Sequence, residues 1–168
     1  MKIILIGFMG VGKTSVGKML AKKLNFNFID TDYEIERVSS ETISNIFDIY
    51  GEDYFRKLEN NILKKILKEN NVVISTGGGI ITNKENYNIL KNQQNVIFLD
   101  ASVETIINHL ENETNKRPLL NNSKNLSSKI EELLSIRYKK YTDVSDIIID
   151  VNDKNIEEVI SQILVYIR

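Results

Sequence analysis

"KIILIGFMGVGKT", residues 2–14, joins a short apolar run to a glycine-rich turn that ends in Lys-Thr. Residues 7–14 match the pattern G-x-x-x-x-G-K-[ST], and a helical periodicity begins directly after the turn. The glycines allow backbone amides to point inward at phosphate oxygens, at the positive end of the following helix. A purely structural turn is the alternative, but GKT at this spacing between a strand and a helix favours binding of a nucleoside triphosphate.

The end of this turn carries side chains suited to a bound triphosphate. Lys13 should lie against the β and γ phosphates, and the Thr14 hydroxyl should ligate a Mg²⁺ ion held between them. The expected nucleotide contacts are Gly10, Val11, Gly12, Lys13, Thr14 and Ser15. The guanine-reading motif N-K-x-D is not matched, because "NKEN" at residues 83–86 has Asn86 in place of the aspartate. Guanine specificity therefore has no support.

Short apolar runs rich in β-branched residues alternate with amphipathic helical segments along the chain. The runs lie at residues 2–7, 25–30, 71–76, 95–100 and 146–151. The helical periodicities lie at residues 13–24, 41–69, 82–92, 102–112, 126–141 and 155–168. Near-continuous apolar strands that alternate with helices indicate a parallel sheet covered on both faces. We therefore predict a single α/β domain over residues 1–168, a three-layer sandwich.

Composition narrows the class of protein and its partners. The 168 residues are 42% apolar and 27% charged, and a net charge of -1 gives no footprint for nucleic acid. The chain has no cysteine, which excludes disulfides, thiolate metal sites and cysteine nucleophiles. Glycines and Lys13 interrupt the first apolar run, and no run of about eighteen apolar residues exists, so we expect neither a signal peptide nor a membrane span. A cytoplasmic monomer is expected.

Several helix starts have plain structural explanations. Thr82 followed by Glu85 predicts a capping box, and Ser102 can cap the helix of residues 102–112. Asp100 ends an apolar run directly before the same helix, and we interpret it as a cap as well. These polar side chains therefore need no catalytic role.

The least regular stretch is "NETNKRPLLNNSKN", residues 112–125, which contains the only proline, Pro118. Its length and polarity suit a flap over a binding site, and a solvated surface connection is the alternative. Arg117 precedes the proline, which biases that residue toward an extended backbone. We expect a lid over about residues 112–125.

Five further motifs follow the phosphate loop in order. They are "DTD" (30–32), "FRKLE" (55–59), "TGGG" (76–79), "RPLL" (117–120) and "SIRYKKY" (135–141). Together with "GFMGVGKT" they resemble the shikimate kinase family across almost the whole chain. The resemblance implies a P-loop kinase fold with a five-stranded parallel sheet in the order 2-3-1-4-5 and a lid. It also implies transfer of the γ-phosphate of ATP to the 3-hydroxyl of shikimate, with Mg²⁺.

The resemblance assigns the substrate contacts. It implies that Arg56, held by Glu59, and Arg137 bind the carboxylate of shikimate, and that the amides of Gly78 and Gly79 lie against the substrate. Two guanidinium groups on one carboxylate can fix its orientation through paired charge-assisted bonds. Read from the residues alone, Arg56 and Glu59 can equally form an i,i+3 ion pair on a solvated face, and "TGGG" can be a flexible turn.

Arg117 and two phenylalanines complete the expected site. The resemblance implies that Arg117 swings in on the lid and neutralises charge on the transferring phosphoryl group. A solvated loop cation is the alternative for Arg117. Phe47 and Phe55 should wall the ring of the substrate, although both also fit ordinary core positions at helical spacing.

The two aspartates of "DTD" pose a separate question. The run "VVIST" lacks the acidic residue that many P-loop enzymes use for magnesium, so we assign Asp30 to Mg²⁺, through water. Asp32 should hydrogen-bond the acceptor hydroxyl, either as a general base that takes its proton or as a group that only orients it. If the strand that ends in Asp30 continues to Asp32, the two side chains lie on the same face of the sheet. Asp32 can also cap the next helix, which would not exclude its contact with the acceptor hydroxyl.

Two alternative functions remain to be compared with the shikimate kinase assignment. Another small-metabolite P-loop kinase, such as a gluconate or nucleoside monophosphate kinase, would share only the first motif. A catalytically dead nucleotide-binding module would show a degraded site, yet Lys13, Thr14, Asp32 and Arg117 are intact. His109, the only histidine, receives no catalytic role, and the adenine contacts are not assigned.

Overall fold

A computed structural model of the protein describes residues 1–111 and 126–167. At its centre lies a five-stranded parallel sheet in the order β2-β3-β1-β4-β5. The strands are β1 (Lys2–Ile6), β2 (Asn27–Asp30), β3 (Val72–Ser75), β4 (Val96–Asp100) and β5 (Ile147–Asp150). The sheet and its order confirm the predicted fold class, and each strand lies inside one of the five apolar runs.

Helices cover the sheet on both sides. The described α-helices are α1 (Lys13–Leu24), α2 (Thr31–Ser39), α3 (Ile43–Tyr50), α4 (Glu52–Ile66), α5 (Lys84–Lys91), α6 (Val103–Glu111), α7 (Leu126–Val144) and α8 (Ile156–Tyr166). A 3-10 turn spans Ile80–Thr82. Within the described ranges, no helix combines the length and the apolar character that crossing a membrane requires.

The sheet separates two hydrophobic cores. In β1, Ile3 and Leu5 pack into a core with α1, α6 and α8, whereas Ile4 and Ile6 pack into a second core with α2, α3, α4 and α5. All four side chains are completely buried. Successive residues of a strand point to opposite faces, so a strand buried on both faces must be apolar throughout. This geometry explains why the strands read as continuous apolar runs.

One predicted helix is two helices in the structure. The periodicity over residues 41–69 is interrupted at Gly51, whose φ of 80° and ψ of 171° are incompatible with a helix. Glycine adopts this backbone conformation without a Cβ clash. Its amide still donates to the carbonyl of Phe47 at 3.1 Å, which closes α3 before α4 begins. The break turns α4 so that its buried face, which includes Glu59, meets the end of β3.

Two of the predicted helix caps are wrong. Thr82 does not cap a helix, because it ends the 3-10 turn and its hydroxyl donates to the carbonyl of Gly79 at 2.6 Å; Asn83 caps α5 instead. Ser102 accepts from the amide of Thr105 at 3.2 Å and caps α6 as predicted. Because Ser102 is the cap, Asp100 is not, and the Asp100 carboxylate accepts from the Tyr138 hydroxyl at 3.1 Å.

Candidate active site at the carboxyl edge of the sheet

The phosphate loop lies between β1 and α1, at the carboxyl edge of the sheet. Gly12 immediately precedes α1 in the left-handed region, with φ of 91°, and no side chain caps the helix start. The first turn of α1 contains no acidic residue, so the positive end of the helix can interact favourably with an anion. The geometry of the loop therefore suits phosphate.

Lys13 lies back across this loop. Its ammonium donates to the carbonyls of Gly7 at 2.9 Å and Phe8 at 2.8 Å, and the residue is 7% exposed. These contacts hold the positive charge in the middle of the loop rather than in solvent. A phosphate group bound there would be an additional acceptor for the same ammonium.

Thr14 and Asp30, the two predicted metal ligands, are brought together. The Thr14 hydroxyl donates to Oδ2 of Asp30 at 2.7 Å, and Ser75 Oγ lies 3.4 Å from the same hydroxyl. The described residues contain no cluster of three histidine, cysteine or acidic side chains that would hold a metal alone. Mg²⁺ prefers oxygen ligands and usually combines one or two protein groups with phosphates and water. The oxygen pair therefore fits this ion.

The two aspartates of "DTD" point to different neighbours. β2 ends at Asp30 and α2 begins at the next residue, so the strand does not continue to Asp32. Oδ1 of Asp30 accepts from the amides of Asp32 at 3.0 Å and Tyr33 at 3.3 Å, which makes Asp30 the cap of α2. Capping by Asp32, the possibility raised above, is therefore not observed, and the two side chains do not share a strand face.

Asp32 and Glu59 meet over Gly77. A Cβ atom on Gly77 would lie 2.6 Å from Oδ1 of Asp32 and 3.1 Å from Oε1 of Glu59. Glu59 is fully buried, and its Oε1 accepts no hydrogen bond from the described residues. Burial raises the pKa of Glu59 to about 7 against the opposing charge of Arg56, and the nearby Asp32 carboxyl adds to the rise. The site thus holds two carboxyl groups in a region of low polarity.

Arg56 is largely buried, and its ion pair with the fully buried Glu59 does not lie on a solvated face. Its side chain is 11% exposed. Nη1 donates to Oε2 of Glu59 at 3.1 Å, while Nη2 and Nε donate to Oε1 of Glu52 at 2.9 and 3.2 Å. A Cβ atom on Gly79 would lie only 2.6 Å from Nη2, so the guanidinium lies directly on this glycine. The structure therefore brings Arg56, Glu59 and Gly79 together.

Arg137 reaches the neighbouring glycine from α7. The residue is 4% exposed, its Nη1 donates to the carbonyl of Gly78 at 3.3 Å, and its guanidinium lies 5.7 Å from the ring centroid of Phe8. Gly78 also touches the phosphate loop, because a Cβ atom there would lie 2.8 Å from the amide nitrogen of Met9. The two predicted arginines thus contact consecutive glycines, one of which packs on the phosphate loop.

The two phenylalanines predicted to wall the substrate pack on each other. The ring centroids of Phe47 and Phe55 are 4.8 Å apart, and Phe55 is 4% exposed. Arg56 lies 5.1 Å from the ring centroid of Phe55. Core packing therefore accounts for the burial of Phe55, and its ring also supports the arginine.

"NKEN", considered above as a guanine-reading motif, has a structural role. Asn83 caps α5 by accepting from the amides of Glu85 and Asn86. Asn86 is fully buried, and its Oδ1 accepts from Nδ2 of Asn60 at 2.7 Å. The segment is therefore a helix start with a buried amide pair.

Sequence reasoning missed the contacts of three residues. Glu52 binds Arg56, as described above. Nδ1 of His109 lies 2.6 Å from the carbonyl of Gly10, and since a carbonyl only accepts, this nitrogen must carry the hydrogen. The Tyr141 hydroxyl donates to the carbonyl of Gly78. Only the i,i+4 spacing of Glu52 and Arg56 gave a local signal, because the other contacts join distant segments. Arg117 and the predicted lid lie outside the described residues.

Comparison with known proteins agrees with this geometry. A family model described as shikimate kinase matches residues 9–168. A shikimate kinase of Clostridium botulinum is 44% identical over 162 residues, which are 96% of this chain and 94% of the relative.

Solved structures give the same result. The shikimate kinase of Acinetobacter baumannii in complex with shikimate has a TM-score of 0.94 and 37% identity, and the match covers 99% of this chain and 92% of that protein. A gluconokinase of Sinorhizobium meliloti, with a TM-score of 0.64 and 17% identity over 98% of this chain and 89% of its own, shares the fold alone. The chain belongs to the shikimate kinase family.

Proposed function

We propose that this protein transfers the γ-phosphate of ATP to the 3-hydroxyl of shikimate, giving shikimate 3-phosphate and ADP on the route to aromatic amino acids. The observation that carries the proposal is the position of the "TGGG" loop. Its middle glycine packs on the phosphate loop at Met9, while Arg56 and Arg137 contact its last two glycines. A carboxylate-binding site and a phosphate-binding site therefore share one loop.

On the nucleotide side, the contacts come from consecutive residues. The backbone amides of the loop and of the first turn of α1, from Gly10 to Ser15, should bind the phosphates of ATP. Lys13 should add its charge at the β and γ phosphates. Because these donors are fixed before ATP arrives, they stabilise charge on the transferring group without reorganisation.

Mg²⁺ fits beside these phosphates. Thr14 would ligate the ion with its hydroxyl oxygen, and Asp30 would bind it through water, since capping of α2 already occupies one carboxylate oxygen. When bound, the ion would neutralise charge on the phosphate oxygens. Asp30 supplies the acidic group that the end of β3 lacks.

On the acceptor side, Arg56 and Arg137 should bind the carboxylate of shikimate. Because these arginines contact Gly79 and Gly78, the amides of the two glycines should lie next to the bound substrate. Asp32 should then accept a hydrogen bond from the hydroxyl that attacks the γ-phosphate. Arg117, on a lid, would contribute charge and closure. Positioning and charge neutralisation supply most of the rate in such a site.

The proposal extends to partners and location. The net charge of -1 gives no overall electrostatic attraction to nucleic acid. We infer that it acts as a monomer in the cytoplasm on ATP and shikimate, without a membrane or nucleic-acid partner.

A coupled assay of ADP formation tests the function. We expect ADP release with shikimate, and none above background with gluconate, AMP or CMP as the acceptor. Asp32→Asn should retain ATP binding, measured by calorimetry, and lose most of the transfer. Turnover of gluconate or of a nucleoside monophosphate would contradict the acceptor, and ATP binding without shikimate-dependent ADP release would favour a regulatory module. Loss of ATP binding in Asp32→Asn would reverse the roles of the two aspartates.

A further inference from the structure

The carbonyl oxygen of Gly78 accepts from two side chains of α7. Arg137 donates at 3.3 Å, near the long end for an N–H···O bond, and the Tyr141 hydroxyl is the second donor. The tyrosine ring is fully buried and stacks on Phe98, with the ring centroids 5.0 Å apart and 24° between the planes. A ring held in this way fixes its hydroxyl in one place.

The glycine is also fixed from its other side. A Cβ atom on Gly78 would lie 2.8 Å from the amide nitrogen of Met9, so the glycine packs closely against the phosphate loop. The Tyr141 hydroxyl binds the carbonyl of the same residue. Any displacement of this peptide would also move Gly79, against which Arg56 lies.

The hydroxyl further affects what Arg137 can bind. A partly buried carbonyl that loses a strong donor should draw the remaining donor toward itself, because leaving a polar group without a hydrogen bond costs free energy. Burial raises the pKa of Tyr141, so the hydroxyl keeps its proton and remains a donor. Tyr141 also hydrogen-bonds the side chain of Arg137, so the tyrosine orients the guanidinium, whose remaining N–H groups can bind a ligand.

We propose that Tyr141 is a positioning residue for the acceptor substrate. Its hydroxyl holds the Gly78–Gly79 peptide in place and orients the guanidinium of Arg137 toward the carboxylate of the substrate. The inference rests on the proposed function for the identity of that carboxylate. Tyr141 itself touches neither substrate.

The test compares Tyr141→Phe with Tyr138→Phe. Tyr138 lies on the same helix, contacts the same ring of Phe98 and gives its hydroxyl to Asp100, away from the glycine loop. We expect Tyr141→Phe to raise the KM for shikimate about tenfold, the effect of about one hydrogen bond to a charged or buried partner. The KM for ATP and the kcat of Tyr141→Phe should stay within about twofold of the wild-type values. Tyr138→Phe should leave both KM values and kcat unchanged.

A purely structural role predicts a different result. If Tyr141→Phe lowers the melting temperature but leaves the KM for shikimate at the wild-type value, the inference is overturned. A double-mutant cycle with Arg137→Lys tests the route through the arginine. We expect the combined effect on KM to be smaller than the product of the single effects, and a full product would contradict that route.

Hydrogen exchange separates this inference from the proposed function. Exchange at the amides of Gly78 and Gly79 needs no substrate and is measured on wild type and on both variants. Faster exchange in Tyr141→Phe alone supports the positioning role, and unchanged exchange overturns it. A wild-type protein that fails to phosphorylate shikimate overturns the proposed function, while the exchange measurement still decides whether Tyr141 holds the loop.

Discussion

The phosphate loop and the acceptor pocket are built in opposite ways. The phosphate loop is one continuous segment of the chain, and most of its expected contacts come from backbone amides. The acceptor pocket combines side chains from α2, α4 and α7 with the glycines after β3. It holds two carboxyl groups and two guanidinium groups at low exposure. Binding by backbone amides should survive most changes of side chain, whereas a buried charge is destabilised when its partner is removed.

Lys13 is the one charged side chain of the phosphate loop. This comparison therefore predicts that mutation of Lys13 lowers turnover more than mutation of any other residue of the loop. Lys13→Met should lower kcat by at least about 10²-fold, the scale for losing a preorganised charge contact at the transition state. Lys18→Met, an exposed lysine of the same helix, is the matched control. Near-normal turnover by Lys13→Met in a steady-state assay would contradict the assignment of this loop.

On the acceptor side, Arg56→Ala should affect binding more than turnover. Removing one buried partner of the carboxylate should raise the KM for shikimate by about 10- to 100-fold, while the KM for ATP stays near the wild-type value. Arg37→Ala, an exposed arginine on α2 paired with Glu34, is the control. If Arg56→Ala instead raised the KM for ATP, the division between the two regions would be wrong.

Glu59 makes the acceptor pocket sensitive to pH. Its pKa of about 7 in the folded protein lies above the ordinary 4.5, so between these pH values the folded state holds a proton that the unfolded state has lost. The free energy of unfolding should therefore fall as the pH rises through this window, by at most about 3 kcal/mol. Glu59→Gln should abolish this fall, and the exposed Glu69→Gln should not.

Urea unfolding at pH 5 and pH 7.5 measures this effect. The informative quantity is the difference in free energy of unfolding between wild type and Glu59→Gln at each pH. A difference that does not change with pH would mean that Glu59 is ionised over the whole range, through its contact with Arg56.

The smallest expected effect on catalysis comes from His109, a side chain of α6 that contacts the phosphate loop at the carbonyl of Gly10. His109→Leu removes the donor to the Gly10 carbonyl and should raise the KM for ATP about fivefold, the effect of about one hydrogen bond, without changing the KM for shikimate. Asparagine can place its amide nitrogen near the position of Nδ1, so His109→Asn should retain the wild-type KM. Equal defects in both variants would exclude this hydrogen bond as the cause.

The same division explains what the sequence could predict. Strands, the phosphate loop and the first helix depend on local patterns, and the structure agrees with them closely, as for α1 at Lys13–Leu24. The break at Gly51 and the cap by Asp30 were not predicted, because a helical periodicity and an extended run can each end at any of several residues. The contacts of His109 and Tyr141 join residues 99 and 63 positions apart, and no spacing in the sequence encodes them.

The three glycines at residues 77–79 differ in what a mutation there would destroy. A methyl group at Gly77 or Gly79 would meet the ends of movable side chains, those of Asp32 and Arg56. These alanine variants should fold, with the charged groups displaced, and become inactive proteins that accumulate normally. At Gly78 the methyl group would meet the backbone of Met9, which cannot rotate away. Neighbouring codons in one short motif would thus give two distinct phenotypes, one a loss of activity and the other a loss of protein.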